Sequence, residues 1–177
     1  IKNLPGLVRA FSAARPKGWR LVIVGPDEEN HRAELEAEIS ACLSGDIIEI
    51  REPVYGPARD SAIDNATALV LPSHSENYGA VVAEALARGC PVLVSTGTPW
   101  DHVEADGIGW VCGTDSGSIE CVIRKIASAS DQKLRDMRAT AYAFAKRHLA
   151  WTRFGSEYKI MYEVAMANRP RSGSEQP

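Results

Sequence analysis

Between Leu69 and Trp100 the chain reads Leu-Val-Leu-Pro-Ser-His-Ser-Glu-Asn-Tyr-Gly-Ala-Val-Val-Ala-Glu-Ala-Leu-Ala-Arg-Gly-Cys-Pro-Val-Leu-Val-Ser-Thr-Gly-Thr-Pro-Trp. This is the pattern of strand, polar loop, helix, glycine stop, strand and loop. The apolar run Ala68 to Leu71 is short and bounded by Pro72, as a buried strand is. Tyr78 to Arg88 carries Val82, Ala85 and Leu86 at helical spacing, Gly89 stops that helix, and Pro91 opens a second buried strand over Val92 to Val94. Two short apolar strands joined through a helix are a parallel pair, because an antiparallel pair needs only a tight turn.

The flanking sequence repeats the unit. Leu4, Leu7, Val8, Phe11 and Ala14 form a helical stripe, with Asn3 placed to cap it and Pro5 in its first turn. A strand over Trp19 to Val24 closes on Gly25-Pro26, and an acidic amphipathic helix follows from about Asn30 to Leu43. Ile47 to Ile50 is the next strand, Pro53 to Pro57 a turn, and Ala58 to Asn65 a short helix. After Trp100 come a short strand around Gly109 to Cys112, a helix over Ser116 to Ser128 capped by Asp115 or Ser116, and a longer helix over Asp131 to Leu149. A terminal helix over Trp151 to Ala167 carries Phe154, Tyr158, Met161, Tyr162 and Ala165 on one face, and Arg169 onward has the composition of a disordered tail. Such alternation predicts an α/β domain, a Rossmann-like doubly wound parallel sheet, over residues 1–167, with residues 168–177 as tail.

Size and charge narrow the function classes. A chain of 177 residues holds one compact α/β core, and two full domains would be a squeeze. A net charge of −3 with scattered basic residues lacks the Lys/Arg stripe of a nucleic-acid surface. Cys42, Cys90, Cys112 and Cys121 stand far apart with no CxxC pair, which predicts reduced, packed thiols and a cytoplasmic setting. No apolar run is long enough to span a bilayer. The chain opens on Ile1-Lys2-Asn3 without an initiator methionine, which reads as a piece of something longer.

In an open parallel sheet, ligands bind outside the carboxyl ends of the strands. The loops Gly25-Pro26, Val54 to Pro57, Ser73 to Gly79 and Ser95 to Pro99 all lie at such ends. Glu76 and Glu84 sit eight positions apart across the start of the expected helix, a spacing of about 12 Å along a helix axis. Between them, the backbone N–H groups of Tyr78 to Val81 and the positive end of the helix dipole favour an anion. An anion site between two hydroxyl-binding carboxylates suits a nucleotide sugar.

With those residues in view, the chain resembles the C-terminal, nucleotide-sugar-binding half of the retaining GT-B glycosyltransferases of family 4. The resemblance rests on Pro72-Ser73, Glu76-Asn77-Tyr78-Gly79, Glu84-Ala85 and Gly89-Cys90-Pro91-Val92, where the family has two glutamates separated by seven residues. It extends to Lys2-Asn3-Leu4, Leu21 to Gly25, Tyr55-Gly56-Pro57 and the closing helix after Trp151. Thr96 to Trp100 followed by Gly109-Trp110-Val111 is similar to bacterial lipopolysaccharide and surface-polysaccharide transferases.

The resemblance implies a role for each matching position. Glu84 would hold the ribose hydroxyls, and Glu76 would be the catalytic carboxylate beside the donor hexose. Asn77, Tyr78, Gly79, Ala80 and Val81 would present N–H groups to sugar and phosphate, Lys2 would neutralise the diphosphate leaving group, and Val54 and Tyr55 would cradle the base. No metal or other cofactor is implied, in keeping with the lack of an Asp-x-Asp motif. A glycan or lipid-linked acceptor would be bound by an N-terminal domain that is not in this sequence. The fragment alone would then bind donor without turnover, and the whole enzyme would work in the cytoplasm, at the inner face of the membrane.

Each residue also has a plainer reading. Glu84 could be a solvated residue pairing with Arg88 one turn on, and Glu76 an acidic group favoured near a helix N-terminus. His74 could be a general base, although a loop histidine is the simpler reading. Asp101, His102 and Glu104 lack a clean ligand spacing and read as a solvated turn. A GT-B sugar-nucleotide epimerase or a non-catalytic α/β nucleotide-binding module would share this architecture.

Overall fold

The computed structural model describes residues 2–27, 30–149, 159–160 and 163–164. Apart from those last two pairs, the helix expected over Trp151 to Ala167 lies outside the described residues, as does the tail from Arg169. The order is α1 (Leu4–Ala14), β1 (Leu21–Val24), α2 (His31–Ala41), β2 (Ile48–Arg51), α3 (Pro57–Asp64), β3 (Leu69–Leu71), α4 (Ala80–Ala87), β4 (Val92–Ser95), β5 (Gly109–Cys112), α5 (Ser116–Ala127) and α6 (Asp131–His148). Each strand falls on an apolar run visible in the sequence, and each is short because a glycine, proline or polar cluster closes it.

All the strand pairs are parallel, and they form two hydrogen-bonded sets. In the first, β1 pairs with β2, Leu21 opposite Ile48 and Val24 opposite Arg51. In the second the order is β3-β4-β5, with Leu69 opposite Val92 and Ser95 opposite Cys112. A single continuous ladder, which alternation alone suggests, is not formed among the described residues. One core nevertheless joins the two sets: Leu21 of β1, Ile48 of β2, Leu93 of β4 and Trp110 of β5 belong to the same buried cluster.

Residues of β4 show why helices cover both faces. Side chains alternate across a strand, so Leu93 packs with α1, α2 and α5, while Val92 and Val94 pack with α4 and α6 on the opposite side. All of β4 is buried, as a strand covered on both faces must be. Helix α1 lies against both α2 and α5 on the first face, and α4 lies against α6 on the second. Burying Val8, Leu86, Leu93, Ile108 and Ile119 completely contributes on the order of 1.5–3 kcal/mol for each side chain.

Side-chain caps set the starts of α5 and α6. Asp115 accepts a hydrogen bond from Ser118 N at 2.8 Å and caps α5, and Ser130 accepts one from Lys133 N at 3.2 Å and caps α6. Asn3 departs from expectation. It is left-handed, with φ 58°, and makes no side-chain cap. Its Nδ2 donates instead to Pro72 O at 3.2 Å and Thr114 O at 2.8 Å, fastening the start of α1 to the carboxyl ends of β3 and β5.

Cys90 and Cys112 are buried, and burial pushes both thiols up, Cys112 to about 11, so neither is a ready nucleophile. The expectation of packed thiols fails at Cys121, which is exposed, and holds only in part at Cys42, which is half-buried. Helical phase explains the exposure of Cys121: Ile119, Ile123 and Ile126 form the inner stripe of α5, and position 121 falls outside it.

Candidate functional site

The loop from Pro72 to Gly79 leaves the end of β3 and enters α4. It is laid against the loop that leaves β4, and three contacts fix the alignment. Ser95 Oγ donates to Ser73 O, Glu76 N donates to Gly97 O at 3.1 Å, and Trp100 Nε1 donates to Tyr78 O. The approach at Gly97 admits no side chain, since a Cβ there would lie 2.3 Å from His74 O and 2.7 Å from Ser73 O. At the entrance to α4, Gly79 has φ +71°, a conformation that favours glycine, and the helix has no side-chain cap. The first N–H groups of a helix have no acceptor within it, and no side chain caps those of α4.

Helix α4 begins at Ala80, two residues later than its sequence pattern suggested. Glu76 therefore lies on the loop and only Glu84 on the helix, so helical rise does not set the separation of the two carboxylates. The reason is the left-handed turn at Gly79, which the apolar periodicity after it does not reveal.

Glu76 is held from two sides. Its backbone N–H is tied to Gly97, and its carboxylate pairs with Lys2 Nζ at 2.5 Å, with the Glu76 side chain 16% exposed and that of Lys2 53%. The hydrogen bond from Lys2 is the main cause that holds the Glu76 carboxyl below the usual glutamate value of 4.5, and burial opposes it. Two of the expected site residues, at opposite ends of a long sequence separation, are thus brought together. A lowered carboxyl pKa contributes stability above the unfolded value that is lost as pH falls through the folded value. Acid should therefore weaken the wild-type fold below about pH 4.5 more than it weakens Lys2→Met. Urea midpoints measured across pH 3 to 6, on the order of that window, check this; parallel curves for the two proteins would remove the pair from the acid response.

Glu84 points to a partner that the sequence reading missed. Arg59 Nη1, at the start of α3, lies 3.2 Å from Glu84 Oε1. Arg88, the expected i+4 partner, turns away to Asp64, with Nε to Oδ1 at 2.7 Å, and to Asp60 at 3.2 Å. The plain pairing of Glu84 with Arg88 is replaced by a link between α4 and α3, and α3 follows directly on the Val54-Tyr55-Gly56 turn. Tyr55 is 75% exposed and Val54 half-buried there, an open shelf at the end of β2. Nothing in the spacing of Arg59 marked it, because its partner is distant in sequence.

The remaining candidates are placed as follows. Asn77 and Tyr78 are exposed at the loop tip, and the Tyr78 ring meets that of Trp100 at 5.7 Å between centroids. His74 is exposed. Asp101, His102 and Glu104 lie on an exposed turn, where His102 pairs with Asp106 at 2.7 Å and Glu104 with Lys125 at 2.5 Å.

Set beside known proteins, the chain is 27% identical over 172 residues to a D-inositol 3-phosphate glycosyltransferase of Xylanimonas cellulosilytica, covering 96% of this chain and 41% of that one. It spans less than half the length of that relative. Among solved structures, Anabaena Alr3699/HepE in complex with UDP and glucose superposes with a TM-score of 0.77 at 16% identity, over 89% of this chain and 44% of that one. WaaG, a glycosyltransferase involved in lipopolysaccharide biosynthesis, gives a TM-score of 0.66 at 20% identity, over 82% of this chain and 38% of that one. These likenesses place the fold as the C-terminal, Rossmann-like half of GT-B proteins. The family model for glycosyl transferases group 1 matches residues 1–147, and the chain belongs to that family.

Proposed function

We propose that this chain is the donor-binding domain of a retaining glycosyltransferase. The enzyme moves a hexose from a nucleotide-diphosphate sugar to a glycan or lipid-linked acceptor, in lipopolysaccharide or surface-polysaccharide synthesis at the inner face of the cytoplasmic membrane. The observation that carries this reading is the meeting of Lys2 and Glu76 beside the uncapped start of α4. A cation, a carboxylate and open N–H groups are the three things that a diphosphate with an attached sugar requires.

In this reading the diphosphate lies at the N-terminus of α4, where the open N–H groups and the dipole favour it. Lys2 exchanges its carboxylate partner for phosphate and holds the charge that grows on the leaving group. Glu76 accepts hydrogen bonds from the hexose and opposes the positive charge that develops on its ring. Glu84 holds the ribose, and Val54 and Tyr55 cover the base. Among the described residues no helix is long and apolar enough to cross a membrane; peripheral membrane association of the full-length enzyme is part of this proposal. Domain bounds of 1–167, with the acceptor domain on the N-terminal side, belong to the same proposal.

Calorimetry with UDP, GDP and their hexose conjugates tests it. The chain should bind at least one of these without sugar transfer or hydrolysis, because the acceptor-binding half is absent from it. Affinity should be the same with a chelator present, since the positive charge comes from a helix end and a lysine. Turnover by the chain alone, or a strict magnesium requirement for binding, would overturn the proposal. With both halves present, a lipid-linked glycan should accept sugar in preference to D-inositol 3-phosphate, the compound in the name of the curated relative.

A further inference from the structure

We infer that Trp100 is a positioning residue for the donor site, aiming the Gly79 N–H at the diphosphate; this rests on the function proposed above. Trp100 lies on the loop after β4, is only 4% exposed, and belongs to the buried cluster that packs between β4 and α4. Its ring edge does more than fill space, because Nε1 donates to Tyr78 O.

That carbonyl and the Gly79 N–H belong to one peptide group, which is planar and trans, so the two bonds point in opposite directions. Drawing the Tyr78 carbonyl to Trp100 turns the Gly79 N–H the opposite way, away from the indole, at the start of α4. The need for such a constraint follows from the glycine itself. Without a Cβ, Gly79 allows its flanking peptide groups to rotate more freely than any other residue would, and its φ of +71° is one of several conformations open to it. A bulkier residue is strained there, since residues with a side chain rarely adopt a φ of +71° and a Cβ would crowd Trp100 Nε1 at 3.3 Å. The loop therefore cannot be stiffened from within, and the indole stiffens it from outside. The Tyr78 ring, tilted 57° on that of Trp100, adds a second point of contact. Thr98 supports the tryptophan in turn: its Oγ1 accepts from Trp100 N at 3.4 Å and donates to Ser95 O at 2.9 Å.

The test is Trp100→Phe in the 177-residue chain, which keeps an aromatic ring and removes the donor. Val103→Ala serves as the control. Val103 is fully buried in the same cluster, so its truncation weakens packing there with no change to any hydrogen bond of the Tyr78–Gly79 peptide. The probes are UDP, by calorimetry, and inorganic pyrophosphate, by amide chemical shifts on nitrogen-15-labelled protein. Trp100→Phe should bind UDP at least about tenfold more weakly, the worth of one misdirected hydrogen bond to a charged group. Its Gly79 amide should no longer move when pyrophosphate is added. Val103→Ala should keep wild-type affinity and the wild-type Gly79 shift at a comparable loss of thermal stability.

Unchanged UDP affinity and an intact Gly79 response in Trp100→Phe would overturn the inference while leaving the donor-binding function standing. Equal affinity losses in both variants would overturn it in favour of plain packing. Failure of the wild type to bind either probe would bring down the functional reading and this inference with it.

Discussion

In the full-length enzyme proposed above, Glu76→Gln should lower kcat by on the order of a hundredfold or more, while affinity for the bare nucleoside diphosphate should barely move. As the bond to the departing diphosphate breaks, the sugar ring gains positive charge and the diphosphate gains negative charge. A carboxylate beside the ring then interacts more strongly with the transition state than with the ground state, and only such a difference raises kcat. Glutamine preserves the shape and removes the charge. The setting of Glu76 supports this division of roles. Its backbone is tied to Gly97, its side chain is mostly buried, and before donor binds the hydrogen bond from Lys2 keeps its carboxyl below the usual glutamate value. Steady-state kinetics alongside nucleotide titration on the same protein decide the matter. Equal losses in both would make Glu76 a binding or folding residue, and no loss in either would leave it as an acidic group near a helix start.

The second large effect is expected at Glu84. Glu84→Ala should weaken binding of the nucleotide at least about tenfold, with or without an attached hexose, because a carboxylate on a ribose makes two charge-assisted hydrogen bonds. Arg59 shares that carboxylate at 3.2 Å, with side chains 45% and 38% exposed. An ion pair so open to solvent contributes little to stability, and Glu84→Ala should leave the thermal midpoint nearly unchanged. That separates a ligand-binding role from a structural one in a single protein. Unchanged affinity by calorimetry would take Glu84 out of the site.

Periodicity alone located the elements of this fold, since burial on a helix or strand leaves a repeat that any window of sequence displays. The apolar runs at Leu21 to Val24, Ile48 to Ile50, Leu69 to Leu71 and Val92 to Val94 are strands in the structure. The caps at Asp115 and Ser130 are equally local. Where periodicity misled, the cause was a backbone conformation. The left-handed residue at Gly79 delays α4, and a left-handed Asn3 sends its amide to Pro72 and Thr114 instead of to its own helix.

Sequence by itself determined the parallel α/β class, the loops gathered at the strand ends and the paired glutamates, because each is written in residues close along the chain. Only the tertiary structure decided which charges meet and how the site loop is held. Lys2 reaches Glu76, Arg59 rather than Arg88 reaches Glu84, and Trp100 reaches the Tyr78 carbonyl. The division of the strands into two hydrogen-bonded sets over one core is of the same kind. The physical reason is that hydrogen bonds and ion pairs act over a few ångströms of space. Partners that lie far apart along the chain leave no repeat or spacing by which to find each other until the core has folded and set them side by side.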